Sequence, residues 1–409
     1  MEKVIKRFIK YIKIDTQSNV ESKVSPSTQG QLKFAEILIS ELKDLGLKGV
    51  SLDKNGYIMA TLPSNIDKKV PVIGLIAHLD TSPDFSSKNV NPQFVENYNG
   101  TDIVLNKVKN IILSPVEFPE LKQYVGQTLI TTDGTTLLGA DDKAGVAEIM
   151  SALEDIVKNK KIKHGEIKVA FTPDEEIGRG TDHFDVKKFG ADYAYTIDGQ
   201  EVGQLEYENF NAANVKMSIF GKNIHPGYAK NKMKNALLIA HEFQSLLPKR
   251  ERPEFTEGQE GFYHLNNING SVEKVDLYYI IRDHDRKKFE NKKVFFRKRI
   301  EKINKKYGDG TINAEINDMY YNMKEKIEPV MHIVEIAKEA MTLCGITPVI
   351  SQIRGGTDGA RLSYMGLPCP NIFSGGRNPH GKFEYIPVES MVKAVEVIVK
   401  ITELYAEIY

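Results

Sequence analysis

The sequence predicts an α/β protein: a main domain on a largely parallel or mixed sheet, interrupted by a smaller α+β domain of ferredoxin-like type. Three observations point there. Strand-length runs recur between helical patterns at 70–77, which is nearly all apolar, and at 166–171 and 193–197, as in a sheet whose central strands are buried on both faces. Between 209 and 326 the order becomes β-α-β-β-α-β. After Pro329 the β-α alternation resumes, so the main domain is discontinuous: 1–208 and 327–409 flank an insertion at 209–326. At 409 residues the chain is also too long for one ordinary core.

Taken in order, residues 1 to about 50 read as two amphipathic helices. Ile5, Phe8, Ile9 and Ile12 mark the first, and Leu32, Ala35, Ile37, Leu38 and Leu42 the second. Residues 51–62 alternate and break at Asn55-Gly56, a hairpin signal. The apolar run 70–77 delivers His78 and Asp80, which alternation puts on one side of the strand. Residues 81–136 are polar and broken by prolines, and read as loops and hairpins rather than core. Gly139-Ala140-Asp141-Asp142-Lys143-Ala144-Gly145 follows, opening a helix marked by Val146, Ile149, Met150, Leu153 and Ile156. Strands at 166–171 and 193–197 end at Asp174-Glu175-Glu176 and at Asp198. In the insertion, strands are expected at 214–220, 261–269, 271–281 and 311–317, with helices at 234–247 and 286–306. The last stretch carries a helix to Leu343, a strand at 347–353, the turn Arg354-Gly355-Gly356-Thr357-Asp358, a strand at 369–373, His380, and a helix over 389–409.

Composition narrows the function classes. Lys plus Arg equals Asp plus Glu at 55 each, so no global field favours nucleic acid or an anionic membrane. The basic helix at 286–306 interleaves its charges with an apolar stripe, as a solvated amphipathic helix does. Cys344 and Cys369 are the two cysteines, far from any CxxC spacing, and are expected as reduced thiols. The first 16 residues lack the unbroken apolar run of a signal peptide, and no stretch reaches transmembrane length; the cytoplasm is the expected compartment.

The chemistry gathers at one sheet edge. His78, Asp80, Asp141, Asp142, Glu175, Glu176, Asp198 and His380 lie at the carboxyl ends of strands or just beyond, where open α/β sheets bind ligands. Each has a plainer reading alone: a hydrogen-bonded His-x-Asp pair, a solvated Glu-Glu turn, an Asp-Asp N-cap. Together they supply two imidazoles and enough carboxylates for a pair of metal ions about 3.5–4 Å apart bridged by one carboxylate, with a further carboxylate free as a base.

Four segments carry a resemblance: Ala77-His78-Leu79-Asp80-Thr81, the Gly139–Gly145 motif above, Thr172-Pro173-Asp174-Glu175-Glu176-Ile177-Gly178, and Ile353-Arg354-Gly355-Gly356-Thr357-Asp358. They resemble the M20 family of co-catalytic zinc peptidases, and the likeness spans essentially the whole chain. Tyr195-Thr196-Ile197-Asp198-Gly199 and Asn378-Pro379-His380-Gly381 resemble the branch that removes the N-terminal residue from tripeptides. The resemblance implies two zinc ions per subunit: His78 and Asp198 on one, Glu176 and His380 on the other, and Asp141 bridging. It implies Glu175 as general base, Asp80 orienting His78, Asp142 in a structural role, and an insertion that acts as a lid carrying His225. A tripeptide cutter also needs a cation for the substrate's C-terminal carboxylate, and arginine's planar fork suits it. Arg282 and Arg354 are the candidates. Small peptides are the expected partners, with neither nucleic acid nor membrane, and pairing through the insertion leaves a homodimer open. Other activities of the same family (dipeptidase, carboxypeptidase, N-acyl-amino-acid deacylase) would use the same metal set.

Overall fold

The computed structural model describes residues 1–408. The chain forms two compact units: Met1–Tyr207 with Glu325–Ser351 and Thr357–Tyr409, and Glu208–Lys324 with Gln352–Gly356. The glycine turn Gln352–Gly356 thus belongs with the insertion, whereas the sequence reading left it in the main domain.

The first unit is built on a sheet ordered Lys48–Leu52, Ile58–Leu62, Ile167–Thr172, Ile73–His78, Tyr193–Gly199, Asn371–Phe373, Gln204–Asn209, Val349–Ile353. The central strands run parallel: Ile73–His78 pairs in parallel with both Ile167–Thr172 and Tyr193–Gly199, and the latter with Asn371–Phe373. The outer pairs Lys48–Leu52 with Ile58–Leu62, and Ile58–Leu62 with Ile167–Thr172, are antiparallel. The sheet is therefore mixed with a parallel centre. Every residue of Ile73–His78 is buried, which explains its unbroken apolar run. Register puts His78 beside Thr172 and Asn371 beside Thr196, so these strands end along one edge.

The helix Ala140–Lys158 starts at that edge and packs on Ile73–His78, the N-terminal helix Glu2–Ile12 and the C-terminal helix Val388–Ile408. It is buried on nearly every side, so its apolar positions exceed a single stripe. Gly145 permits its close seat: a Cβ there would fall 2.1 Å from the carbonyl oxygen of Ile197.

The segment 81–136 corrects the sequence reading. It holds short strands: Leu129–Thr131 pairs with Gln93–Val95 on one side and with Tyr385–Pro387 on the other, and Ile103–Asn106 pairs with Ile111–Leu113. Tyr98, Leu105, Leu113, Leu121 and Tyr124 bury together with Tyr385 as a small core of their own. Strands of three or four residues are too short to display alternation, so the prolines and polar residues dominated the pattern.

In the second unit Asn211–Phe220, Phe262–Gly270, Lys274–Asp283 and Ile312–Tyr320 form an antiparallel sheet in the order second, third, first, fourth. Helices Ala236–Ser245 and Arg286–Tyr307 pack on it through Ile239, Phe243, Phe289, Phe296 and Ile303. This is the ferredoxin-like arrangement that the β-α-β-β-α-β order predicts. The basic helix buries its apolar stripe in that core, and its Lys293 pairs with Asp318. No helix among the described residues is long and apolar enough to cross a membrane.

Candidate metal centre

The donors arrive from separate elements of the first unit. His78 ends its strand fully buried. Its Nε2 lies 2.9 Å from Asp141 Oδ1 and 3.6 Å from Asp198 Oδ1, while its Nδ1 lies 3.1 Å from the backbone oxygen of Asp80. Asp141 turns its other oxygen to His380, whose Nε2 is 3.4 Å from Asp141 Oδ2 and 2.9 Å from Glu176 Oε2. Two groups result, His78–Asp141–Asp198 and Asp141–Glu176–His380, with the ligand atoms of each within 4.8 Å of one another and Asp141 common to both.

Backbone conformation aims these side chains. Gly139 has φ +80°, Asp141 and Asp142 depart from helical geometry, and the Asp141–Asp142 peptide is cis; regular helix follows from Lys143. Asp174 (φ 59°) and His380 (φ 66°) are left-handed, a conformation that costs a non-glycine residue energy and clusters at functional sites. Surrounding contacts hold them. Asp174 accepts hydrogen bonds from the backbone and hydroxyl of Ser27 and from the Gln31 amide. Asp80 accepts from the backbone N–H of Glu175 at 3.0 Å and of Glu176 at 3.2 Å, one on each oxygen. Asp80 was expected to orient His78; its carboxylate also suspends the turn that carries the glutamate pair. Asp142 accepts from the backbone N–H of His78 at 3.2 Å, in keeping with a structural role.

The electrostatics are those of a cation site. Burial opposes a charge on His78, yet the carboxylates of Asp141, Asp198 and Asp80 overcome it and hold the imidazole's pKa well above its usual value. Hydrogen bonding to Asp141 and Glu176 lifts His380 to about 11. Burial, with Asp141 nearby, raises Glu176 to about 8 and Asp198 to about 6. Burial also pushes Glu175 well above the ordinary carboxylate range. So many buried carboxyls are stable side by side only by sharing protons or cations. Glu176 Oε1 is buried without a hydrogen-bond partner, and the donors are the imidazole nitrogens and carboxylate oxygens that zinc accepts. The residues present fit a metal pair.

The chain belongs to peptidase family M20/M25/M40, whose family profile matches residues 132–404. It is 63% identical to a protein named Peptidase T from Alkaliphilus oremlandii, over the full length of both chains. It is 61% identical to Peptidase T from Caldanaerobacter subterraneus, again over 100% of each. Among solved structures it is similar to aminopeptidase PepT from Bacillus cereus, with 26% identity and a TM-score of 0.78 over 99% of this chain and 98% of that one.

Of the residues singled out in the sequence, His78, Asp80, Asp141, Glu175, Glu176, Asp198 and His380 come together in the first unit. His225, Arg282 and Arg354 lie in the second. His225 is exposed, and its Nδ1 accepts from the Gly227 backbone at 3.1 Å. Arg282 donates to the Arg354 carbonyl at 2.7 Å; Arg354 lies over Phe210 and donates to the Gly258 carbonyl at 2.6 Å. The aspartates close to them in sequence are engaged elsewhere: Asp285 caps the helix Arg286–Tyr307, Asp283 faces Lys292, and Asp358 accepts from Thr172. Sequence reasoning missed two buried carboxylates that hold the site. Glu206 binds the Asn371 amide, whose oxygen accepts from the Asp198 backbone. Glu384 binds the turn that carries Asp141. Only their place in or just before short strands hinted at burial.

Proposed function

We propose that this chain is an aminopeptidase that removes the N-terminal residue from tripeptides, with two zinc ions held by the two donor groups that share Asp141. That sharing is the observation that carries the reading, because one carboxylate with a different histidine on each oxygen is the layout of a bridged metal pair. Zinc bound there supplies Lewis acidity at the scissile carbonyl and makes a water easier to deprotonate.

The chain's own residues do the rest. His78 and Asp198 hold one ion, Glu176 and His380 the other. Glu175, not needed as a ligand, takes the water's proton and hands it to the leaving amine. Asp80 fixes both glutamates through their backbone. In the second unit, His225 is assigned to hydrogen-bond the developing oxyanion, and Arg282 and Arg354 to the substrate's C-terminal carboxylate. Arg354, which lies over the Phe210 and Phe262 rings and donates to the neutral Gly258 carbonyl and Thr256 hydroxyl, supports that assignment. The names carried by the full-length relatives at 63% and 61% identity support the peptidase branch.

The test is a substrate panel. Zinc-loaded protein is offered a dipeptide, a tripeptide, a tetrapeptide and an N-acetylated tripeptide, and the products are identified. Release of the first residue from the tripeptide alone is expected. Cleavage of the acetylated peptide, or C-terminal release, would replace the proposal with another activity of the family.

A further inference from the structure

Glu384 is nearly fully buried, yet it belongs to no donor group. Its Oε2 accepts from the backbone N–H of Leu138 at 2.7 Å and of Gly139 at 2.8 Å, and its Oε1 from that of Asp141 at 3.1 Å. Its own backbone closes a different loop. Arg377 and Tyr385 exchange backbone hydrogen bonds at 2.8 and 3.1 Å, Glu384 donates to the Gly381 carbonyl, and His380 sits between. The loop's base is fixed in turn because Tyr385 pairs with Thr131 in the small sheet.

We propose that Glu384 is a positioning residue that holds the turn bearing Asp141 in register with the loop bearing His380. This rests on the metal-pair reading above. Two ligands of one ion must keep a fixed separation, but Asp141 and His380 lie on segments joined by no strand pairing of their own. A carboxylate suits the link because it offers acceptors on both oxygens. A glutamine would turn an NH₂ towards one or two of the same N–H groups. Groups that fix metal ligands typically affect metal affinity about 10–100-fold.

Glu389 provides a control of the same chemistry elsewhere. It opens the helix Val388–Ile408, and its carboxylate accepts from the Thr128 backbone at 3.2 Å without touching a donor group.

The experiment compares wild type, Glu384→Gln and Glu389→Gln in two ways. In metal-free protein, amide hydrogen exchange at Leu138, Gly139 and Asp141 should quicken by about tenfold or more in Glu384→Gln, as expected for losing hydrogen bonds to a charged group. Zinc affinity, by competition with a chromophoric chelator, should fall about 10–100-fold in Glu384→Gln and stay unchanged in Glu389→Gln. Unchanged exchange or affinity in Glu384→Gln overturns the proposal, as does an equal loss of affinity in Glu389→Gln. If Glu384→Gln does not fold, Glu384→Asp, which keeps a carboxylate one methylene short, is read against the same outcomes. Failure of the metal reading shows separately, as a wild type that takes up no zinc, since the exchange comparison is made without metal.

Discussion

Asp141 faces a different histidine with each oxygen, and the remaining carboxyls crowd that pair until protons or cations must intervene. At this scale the arginines make the sharpest claim about selectivity. Arg354 lies 5.1 Å from the centre of the Phe210 ring, with its hydrogen bonds going to neutral acceptors, Gly258 and Thr256. Its charge is therefore available for an anion. If it reads the substrate's terminus, Arg354→Ala should raise KM for tripeptides about tenfold or more, the worth of a charge-assisted hydrogen bond, and barely change KM for their C-terminal amides. Steady-state kinetics on matched acid and amide substrates decide it; equal losses would show that Arg354 does not measure length.

At the scale of elements, the site is the meeting of a helix start with three strand ends, and glycine sets how closely they meet. A Cβ on Gly145 would lie 2.1 Å from the Ile197 carbonyl oxygen and 2.5 Å from Asp142 Oδ1, one residue from Asp198 and one from Asp141. Neither neighbour can yield without moving a donor. Gly145→Ala should therefore destabilise the fold by about 1–3 kcal/mol, as overpacking does. Urea unfolding is the check; an unchanged midpoint would mean the helix has slack at this point. The donors at these strand ends were legible in the sequence because each follows a strand-length run bounded by turn residues, most plainly the apolar 70–77 before His78. Glu384 was not, because in Lys382-Phe383-Glu384-Tyr385 it resembles a solvated turn residue. Its partners lie some 245 positions earlier and are backbone N–H groups, which leave no mark in side-chain identity. The small core of 81–136 was hidden for a related reason: its strands are too short for a period to show.

For the whole molecule, the β-α-β-β-α-β order between 209 and 326 was enough to foresee the ferredoxin-like unit, since that order admits few compact sheets. Its edges were less legible. Gln352–Gly356 joins the second unit through contacts such as the Arg282 bond to the Arg354 carbonyl, which link positions 72 residues apart. In the proposed function the first unit carries the chemistry, with Asp141 bridging two ions and Glu175 binding neither. Metal content and turnover, measured together on wild type, Asp141→Ala and Glu175→Ala, test this most directly. The account predicts two zinc ions in wild type, impaired binding of both in Asp141→Ala, and full metal content in Glu175→Ala with kcat lowered about 10²–10⁴-fold. Metal lost together with activity in Glu175→Ala, or one ion retained at full affinity in Asp141→Ala, would contradict it.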